Sequence, residues 1–167
     1  MNRIIPDKQS AAVCGLLCKS CGIYIATEQN NIDALSRIAV RLNIPSDKVR
    51  CSGCRGSILS AHCETCYFRE CSVKRGVEFC SQCNDFPCEK LKDFQTKMPH
   101  RVDLFRSLER VKEAGWERWY VEAVEKHTCT KCNCLNGWYD LSCKGCGNTP
   151  STPFASENFD KLSLFGK

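Results

Sequence analysis

Sixteen of the 167 residues are cysteine, and they recur at two-residue gaps. A chain this rich in thiols must either oxidise them into a disulfide framework or hand them to metal ions. The spacing favours metal. Each C-x2-C places two sulfurs on one tight turn, where they can grip a single tetrahedral ion about 2.3 Å away. The segment from Met1 to Cys21 has no apolar run long enough for a signal peptide or membrane span. A surface carrying 24 Lys plus Arg and 19 Asp plus Glu suits the cytoplasm, where thiols stay reduced. The expectation is a cytoplasmic protein holding three to four zinc ions.

The C-terminal cysteines give the sharpest pattern. Cys129-x2-Cys132, ten residues, then Cys143-x2-Cys146 is the spacing of a zinc ribbon. The residue after a knuckle's second cysteine often takes positive φ, which suits Gly147 and is tolerable for Asn133. Asn136-Gly137 reads as a hairpin turn, with Trp138 and Tyr139 as strand residues after it. Cys134 falls one residue outside the knuckle and reads as a spare thiol.

The middle of the chain repeats with a 17-residue period. From Cys54 the spacing runs x8-Cys63-x2-Cys66-x4-Cys71, and from Cys71 it recurs as x8-Cys80-x2-Cys83-x4-Cys88. Two units so matched should share a local conformation. The simplest partition is sequential, with Cys51, Cys54, Cys63 and Cys66 in one site and Cys71, Cys80, Cys83 and Cys88 in another. A crossed arrangement uses the same residues with pairs exchanged. The opening cluster, Cys14-x3-Cys18-x2-Cys21, supplies only three thiols. Its fourth ligand is His62, His100 or a borrowed cysteine. Alternatively, an open fourth position would suit a catalytic zinc or an iron–sulfur cluster in a redox protein. The ferredoxin spacings are absent, and knuckle pairs on short loops suit single ions better.

Between the cysteines lie several helices. Asn31 to Leu42 is amphipathic, with Asn30 or Asn31 as N-cap and Ile32, Leu35, Ala39 and Leu42 on one face. Asp85-Phe86-Pro87 reads as a helix start, with Leu91 and Phe94 inward. Arg101 to Ala114 follows, closed by Gly115, and then Trp116 to His127. Residues 1–13 read as a loosely held tail, and the stretch from Cys51 to Cys88 has too few apolar residues to order itself without cross-links. The fold class expected is a small, irregular, metal-stapled α+β protein: several helices, zinc-knuckle loops and a C-terminal ribbon hairpin. Residues 1–127 would form the cysteine-rich helical domain, and 128–167 the ribbon module and a tail whose Leu162, Leu164 and Phe165 pack back on the body.

The chemistry excluded is broad. There is no H-E-x-x-H, no Gly-rich phosphate loop and no G-x-S-x-G elbow, and His62, His100 and His127 form no motif. The formal charge of +5 counts every thiol as neutral; fifteen thiolates on four divalent ions would bring it to −2. Basicity is therefore weak support for nucleic acid. A non-enzymatic interaction or scaffold module with a protein partner fits best.

The motifs Cys14-Gly15-Leu16-Leu17-Cys18-Lys19-Ser20-Cys21, Cys51-Ser52-Gly53-Cys54, Lys74-Arg75-Gly76-Val77 and Cys80-Ser81-Gln82-Cys83-Asn84-Asp85-Phe86-Pro87-Cys88-Glu89-Lys90-Leu91 together resemble a prokaryotic family of small cysteine-rich proteins catalogued as a domain of unknown function. The resemblance spans roughly residues 10 to 110. It implies metal binding in a cytoplasmic bacterial or archaeal protein and supplies no reaction. Gly22 departs from the family, which commonly has proline after the third cysteine.

Overall fold

The computed structural model describes residues 3–165. Helix α1 (Gly22–Glu28) and helix α2 (Ile32–Leu42) pack together through Ile23, Ala26, Leu35 and Ala39. Asn31 caps α2 by accepting the Ala34 N–H at 3.0 Å, and Asn43 ends it in the left-handed conformation. Ile44, Val49 and Cys51 complete this smaller core. The apolar stripe of α2 is narrower than its periodicity predicts, because Ile32 and Leu42 at its ends stay exposed.

Helix α3 (Ala61–Glu64) packs on this smaller core through Ala61, and a larger core forms around helix α4 (Tyr67–Arg75), helix α5 (Glu89–Thr96), helix α6 (Leu104–Ala114) and helix α7 (Trp116–Lys126). The α6–α7 pair buries Leu104, Leu108, Val111, Trp119 and Tyr120; α5 adds Leu91 and α4 adds Phe68. Full burial of such a side chain contributes roughly 1.5–3 kcal/mol. Helix α5 begins at Glu89, later than the Asp85 start expected, because the Phe86 N–H closes a turn onto the Cys83 carbonyl at 3.1 Å.

Residues 1 and 2 of the expected tail lie outside the described residues, and the stretch leading into Cys14 is no loose tail. Ser10, Ala11, Ala12 and Val13 lie fully inside the larger core. The Ser10 hydroxyl is 2.9 Å from the Tyr120 hydroxyl, and the Val13 carbonyl accepts the Cys80 N–H at 2.8 Å. Backbone pairing to distant segments holds this stretch, so no local periodicity announced it. Helices α1, α3 and α4 also lacked a readable stripe, as did helix α8 (Pro153–Glu157) and helix α9 (Phe159–Ser163) in the tail. Leu162 packs inward as expected and Phe165, though half exposed, stacks on the Tyr139 ring with centroids 5.7 Å apart, whereas Leu164 is exposed.

The class is mainly helical rather than α+β. Among the described residues, extended pairing is limited to the isolated bridges Ala11–Leu17 and Thr128–Leu135. The expected ribbon hairpin after Asn136-Gly137 does not form: Trp138 spends its N–H on the Ser20 carbonyl at 2.9 Å and stacks on His100, with ring centroids 4.2 Å apart. The C-terminal segment is thereby docked on the opening cysteine knuckle.

Candidate metal centre

The sulfurs of Cys129, Cys132, Cys143 and Cys146 lie within 4.8 Å of one another, and among the described residues this is the one group of potential ligand atoms so closely drawn together. Cys129 faces Cys146 at 3.8 Å and Cys132 faces Cys143 at 3.6 Å. The two knuckles are congruent. Asn133 donates its N–H to the Cys129 carbonyl at 2.9 Å, and Gly147 donates to the Cys143 carbonyl at 2.8 Å. Both take positive φ, 58° and 72°, as their positions in the sequence predict.

Asn136 explains why no hairpin is found here. Its side chain is fully buried between the knuckles. Nδ2 donates to the Cys134 carbonyl at 2.8 Å and to the Cys143 sulfur at 3.5 Å, while Oδ1 accepts the Lys144 N–H at 3.0 Å. Burial pushes the Cys143 thiol up, but these donors, the Gly145 and Cys146 N–H groups and the neighbouring Cys132 outweigh it and hold Cys143 at about 6. Donors of this kind stabilise a thiolate. Cys134 stands against this group, close enough that a Cβ on Gly145 would lie 3.2 Å from the Cys132 sulfur and 3.3 Å from that of Cys134.

The remaining eleven cysteines, Cys14 to Cys88, are free thiols. The two cores sort them. Cys14, Cys18, Cys54, Cys66, Cys80 and Cys88 pack on the larger core, and Cys21 and Cys51 on the smaller. The Cys18-x2-Cys21 and Cys51-x2-Cys54 pairs are therefore each divided between cores. The neighbouring Cys63 thiol lowers Cys51 to about 6, helped by the Gly53 N–H, 3.3 Å from its sulfur. Cys14 has Cys54, Cys80 and Cys66 as its thiol neighbours, though no three of these sulfurs lie within 4.8 Å of one another. Cys80 sits among Cys88, Cys71 and Cys83, and Arg75 Nη1 is 3.5 Å from the Cys83 sulfur.

The repeat in spacing does not give a repeat in conformation. Cys66 is the N-cap of α4 and Cys71 lies within that helix, whereas the matching Cys83 ends a 3-10 turn and Cys88 is the N-cap of α5. What recurs is a turn. In Cys18-x2-Cys21, Cys63-x2-Cys66 and Cys80-x2-Cys83 the second cysteine donates its N–H to the first one's carbonyl, at 2.8, 3.4 and 3.1 Å.

Several features fit thiolates gathered around metal. Burial first, and neighbouring thiols second, push Cys14 and Cys18 well above the ordinary range. Such a cluster ionises only when a cation compensates it. Three arginines surround it. Arg69 donates to the Cys54 and Cys63 carbonyls at 2.9 and 3.0 Å, Arg55 to the Ala11 carbonyl at 3.2 Å, and Arg101 to the Phe94 carbonyl at 2.8 Å. The Arg101 Nε, in a side chain influenced by Cys14 and Cys66, is buried without a partner, as are the hydroxyls of Ser20 and Ser81 inside two knuckles. Orphaned donors of this kind suit an anionic sulfur cluster.

The histidines do not join the thiols. His62 is exposed. His100 is buried, with Nδ1 2.6 Å from the Tyr139 hydroxyl, and desolvation lowers it to about 3. His127 Nδ1 is 2.8 Å from the Ala123 carbonyl. Of Lys74, Arg75, Lys90 and Lys92, the basic residues nearest the knuckles in sequence, three are already engaged: Arg75 pairs with Asp85 at 2.6 Å, Lys92 with Glu89 at 2.6 Å, and Lys90 lies over the Tyr67 ring. Among the described residues no helix is long and apolar enough to cross a membrane.

The profile of a protein family described as protein of unknown function (DUF3795) matches residues 10–93. No curated protein and no solved structure matches the chain.

Proposed function

This chain belongs to the DUF3795 family, a family of proteins of unknown function, and from that footing we propose that it is a zinc-stapled, non-enzymatic interaction module. The carrying observation is the convergence of Cys129, Cys132, Cys143 and Cys146 on two congruent knuckles. Four sulfurs with N–H donors behind them form a closed tetrahedral set, the arrangement of a structural rather than a catalytic zinc. On this reading the ribbon-like site is built from knuckle turns without a strand hairpin. Cys14, Cys18, Cys21, Cys51, Cys54, Cys63, Cys66, Cys71, Cys80, Cys83 and Cys88 hold further ions, giving four in all. Sixteen free thiols suit a reducing cytoplasm, consistent with the prokaryotic setting the motifs imply.

The parting of Cys21 from Cys14 and Cys18 between two cores favours this over one iron–sulfur cluster on those three residues. The partner proposed is a protein. Tyr67 and Val73 on α4 and Ile32 and Val40 on α2 are exposed apolar contacts, while the basic residues that would meet phosphate are largely paired internally. Elemental analysis and a visible spectrum of natively purified, anaerobically handled protein test the metal. A colourless protein with about four zinc ions per chain is expected. Stoichiometric iron with sulfur-to-iron charge-transfer bands would overturn it.

A further inference from the structure

Five thiols, Cys129, Cys132, Cys134, Cys143 and Cys146, stand at the C-terminal centre, one more than a tetrahedral ion needs. Cys129 and Cys143 are buried, whereas Cys132 and Cys146 are exposed, so the set has an inner face and a solvent face. Cys134 is half-buried and lies outside the four whose sulfurs fall within 4.8 Å of one another. It is held in place all the same. Its carbonyl accepts two donors, the Cys129 N–H at 2.9 Å and Asn136 Nδ2 at 2.8 Å, which tie its backbone to the first knuckle and to the buried asparagine.

Gly145 shows where the fifth sulfur points. A Cβ on this glycine would stand 3.2 Å from the Cys132 sulfur, 3.3 Å from the Cys134 sulfur and 3.0 Å from the Cys134 Cβ. The missing side chain leaves one shared space between the knuckles, and both sulfurs border it. In sequence the two cysteines are separated only by Asn133, whose φ of 58° turns the chain back on itself. Cys132 is thus a solvent-facing ligand with a spare thiol at its side.

We propose that Cys132 and Cys134 are a dithiol oxidised by hydroperoxides, with Cys132 as the reacting sulfur and Cys134 as the resolving one, so that the C-terminal centre opens under oxidation. The proposal rests on the metal-binding reading above and deepens it. A metal ligand is already a thiolate, and a thiolate that solvent reaches is the form that attacks peroxide. The Cys132 sulfur takes one peroxide oxygen: the S–O bond forms, the O–O bond breaks, and the departing hydroxide is protonated to water. Cys134 then gives up its proton and attacks the Cys132 sulfenic acid. The S–S bond forms, the S–O bond breaks, and a second water leaves. Two electrons from the sulfurs have reduced one hydrogen peroxide. Cys132 no longer offers a charged ligand, and the three thiolates that remain make an incomplete set. A dithiol reductant reverses the bond. Without a neighbouring thiol the sulfenic acid would go on to sulfinic acid, which such reductants do not reverse.

The test treats the full, zinc-loaded chain with hydrogen peroxide, follows zinc with a chromogenic chelator, then alkylates the protein and maps its tryptic peptides. Cleavage after Lys131 and Lys144 yields one peptide holding Cys132, Cys134 and Cys143. In the wild type it should carry a Cys132–Cys134 disulfide with Cys143 alkylated, and dithiothreitol should restore all the zinc. Cys134→Ser leaves the four ligands in place, so it should load as much zinc as the wild type. Peroxide should drive its Cys132 to sulfinic acid, and the lost zinc should not return. Should that variant lose its fold, the wild-type map alone decides the pairing. A disulfide from Cys132 to Cys129, Cys143 or Cys146 in the wild type, or peroxide treatment that leaves Cys132 and Cys134 both reduced, would overturn the proposal while leaving the metal reading intact. So would zinc loss that is equally reversible in Cys134→Ser. If Cys143→Ser removes no zinc from the reduced protein, the metal reading of this centre fails and the proposal fails with it.

Discussion

Two kinds of C-x2-C knuckle share this molecule. In the C-terminal pair, residues 129–133 and 143–147, the turn is closed by the residue after the second cysteine, which stands in the left-handed region and donates back to the first cysteine's carbonyl. In three of the four N-terminal knuckles, Cys18–Cys21, Cys63–Cys66 and Cys80–Cys83, the second cysteine itself donates back, and Cys21 and Cys66 then serve as N-caps of α1 and α4. The first kind gathers both sulfurs onto one centre with no outside help. The second feeds the chain into a helix, and its sulfurs are placed by whatever that helix packs against. Local geometry thus builds the C-terminal site, and tertiary packing builds the N-terminal ones.

The largest expected effect tests that division directly. Each structural zinc in small peptides contributes on the order of 10–16 kcal/mol of apparent folding free energy at neutral pH, comparable with the stability of a whole domain. Stripping the protein with a strong chelator should erase the dispersed amide resonances of residues 10–93, along with helix signal from α1 to α4. Resonances of α6 and α7, which pair through Leu104, Leu108, Val111, Trp119 and Tyr120, should survive longest as a loosened pair. A fingerprint unchanged after removal of all metal would break the comparison, because packing would then suffice in both halves.

The same division explains what could be read in advance. The C-terminal ligand set was legible because all four sulfurs lie within 18 residues and both turns carry their own signal at Asn133 and Gly147. Helices α2, α5, α6 and α7 were legible from their stripes. The grouping of the other cysteines was not, because Cys51 and Cys54 are three residues apart yet pack on different cores. Spacing reports which sulfurs share a turn and is silent about which core each faces. The burial of Ser10–Val13 was hidden for the same reason: its partners, Tyr120 and Cys80, are far along the chain. Asn136 misled because Asn-Gly is a strong hairpin signal, and here its side chain is taken up in joining the knuckles.

A smaller effect sharpens the contrast at Gly53, between Cys51 and Cys54. Its φ is +105°, and a Cβ there would stand 2.4 Å from the Gln9 carbonyl oxygen and 2.9 Å from its carbon. Both are backbone atoms of the segment that also holds the Arg55 N–H at 3.2 Å, so neither can step aside cheaply. Gly53→Ala combines a strained dihedral with a clash and should cost about 3 kcal/mol or more. Urea unfolding of the metal-loaded protein would show it as a lowered midpoint. A cost below about 1 kcal/mol would mean that Gln9 is not seated there, and that the two cores are less tightly joined at this loop.

The smallest effect is the most discriminating, because it turns on sign. Cys18-x2-Cys21-Gly22 and Cys143-x2-Cys146-Gly147 read alike, each a knuckle followed by glycine. Gly22 is the first residue of α1, and a Cβ there would meet only Ile38 Cδ1 at 3.9 Å, an ordinary contact. Replacing it by Ala removes freedom from the unfolded chain without strain and should stabilise by about 0.4–1 kcal/mol. Gly147 is open on all sides yet sits at φ +72°, where a side chain costs roughly 1–2 kcal/mol. Gly147→Ala should therefore destabilise, with no clash to blame. If paired unfolding curves moved in the same direction for both variants, the two knuckles would be one kind of turn, and the division between a locally built site and packed ones would fail.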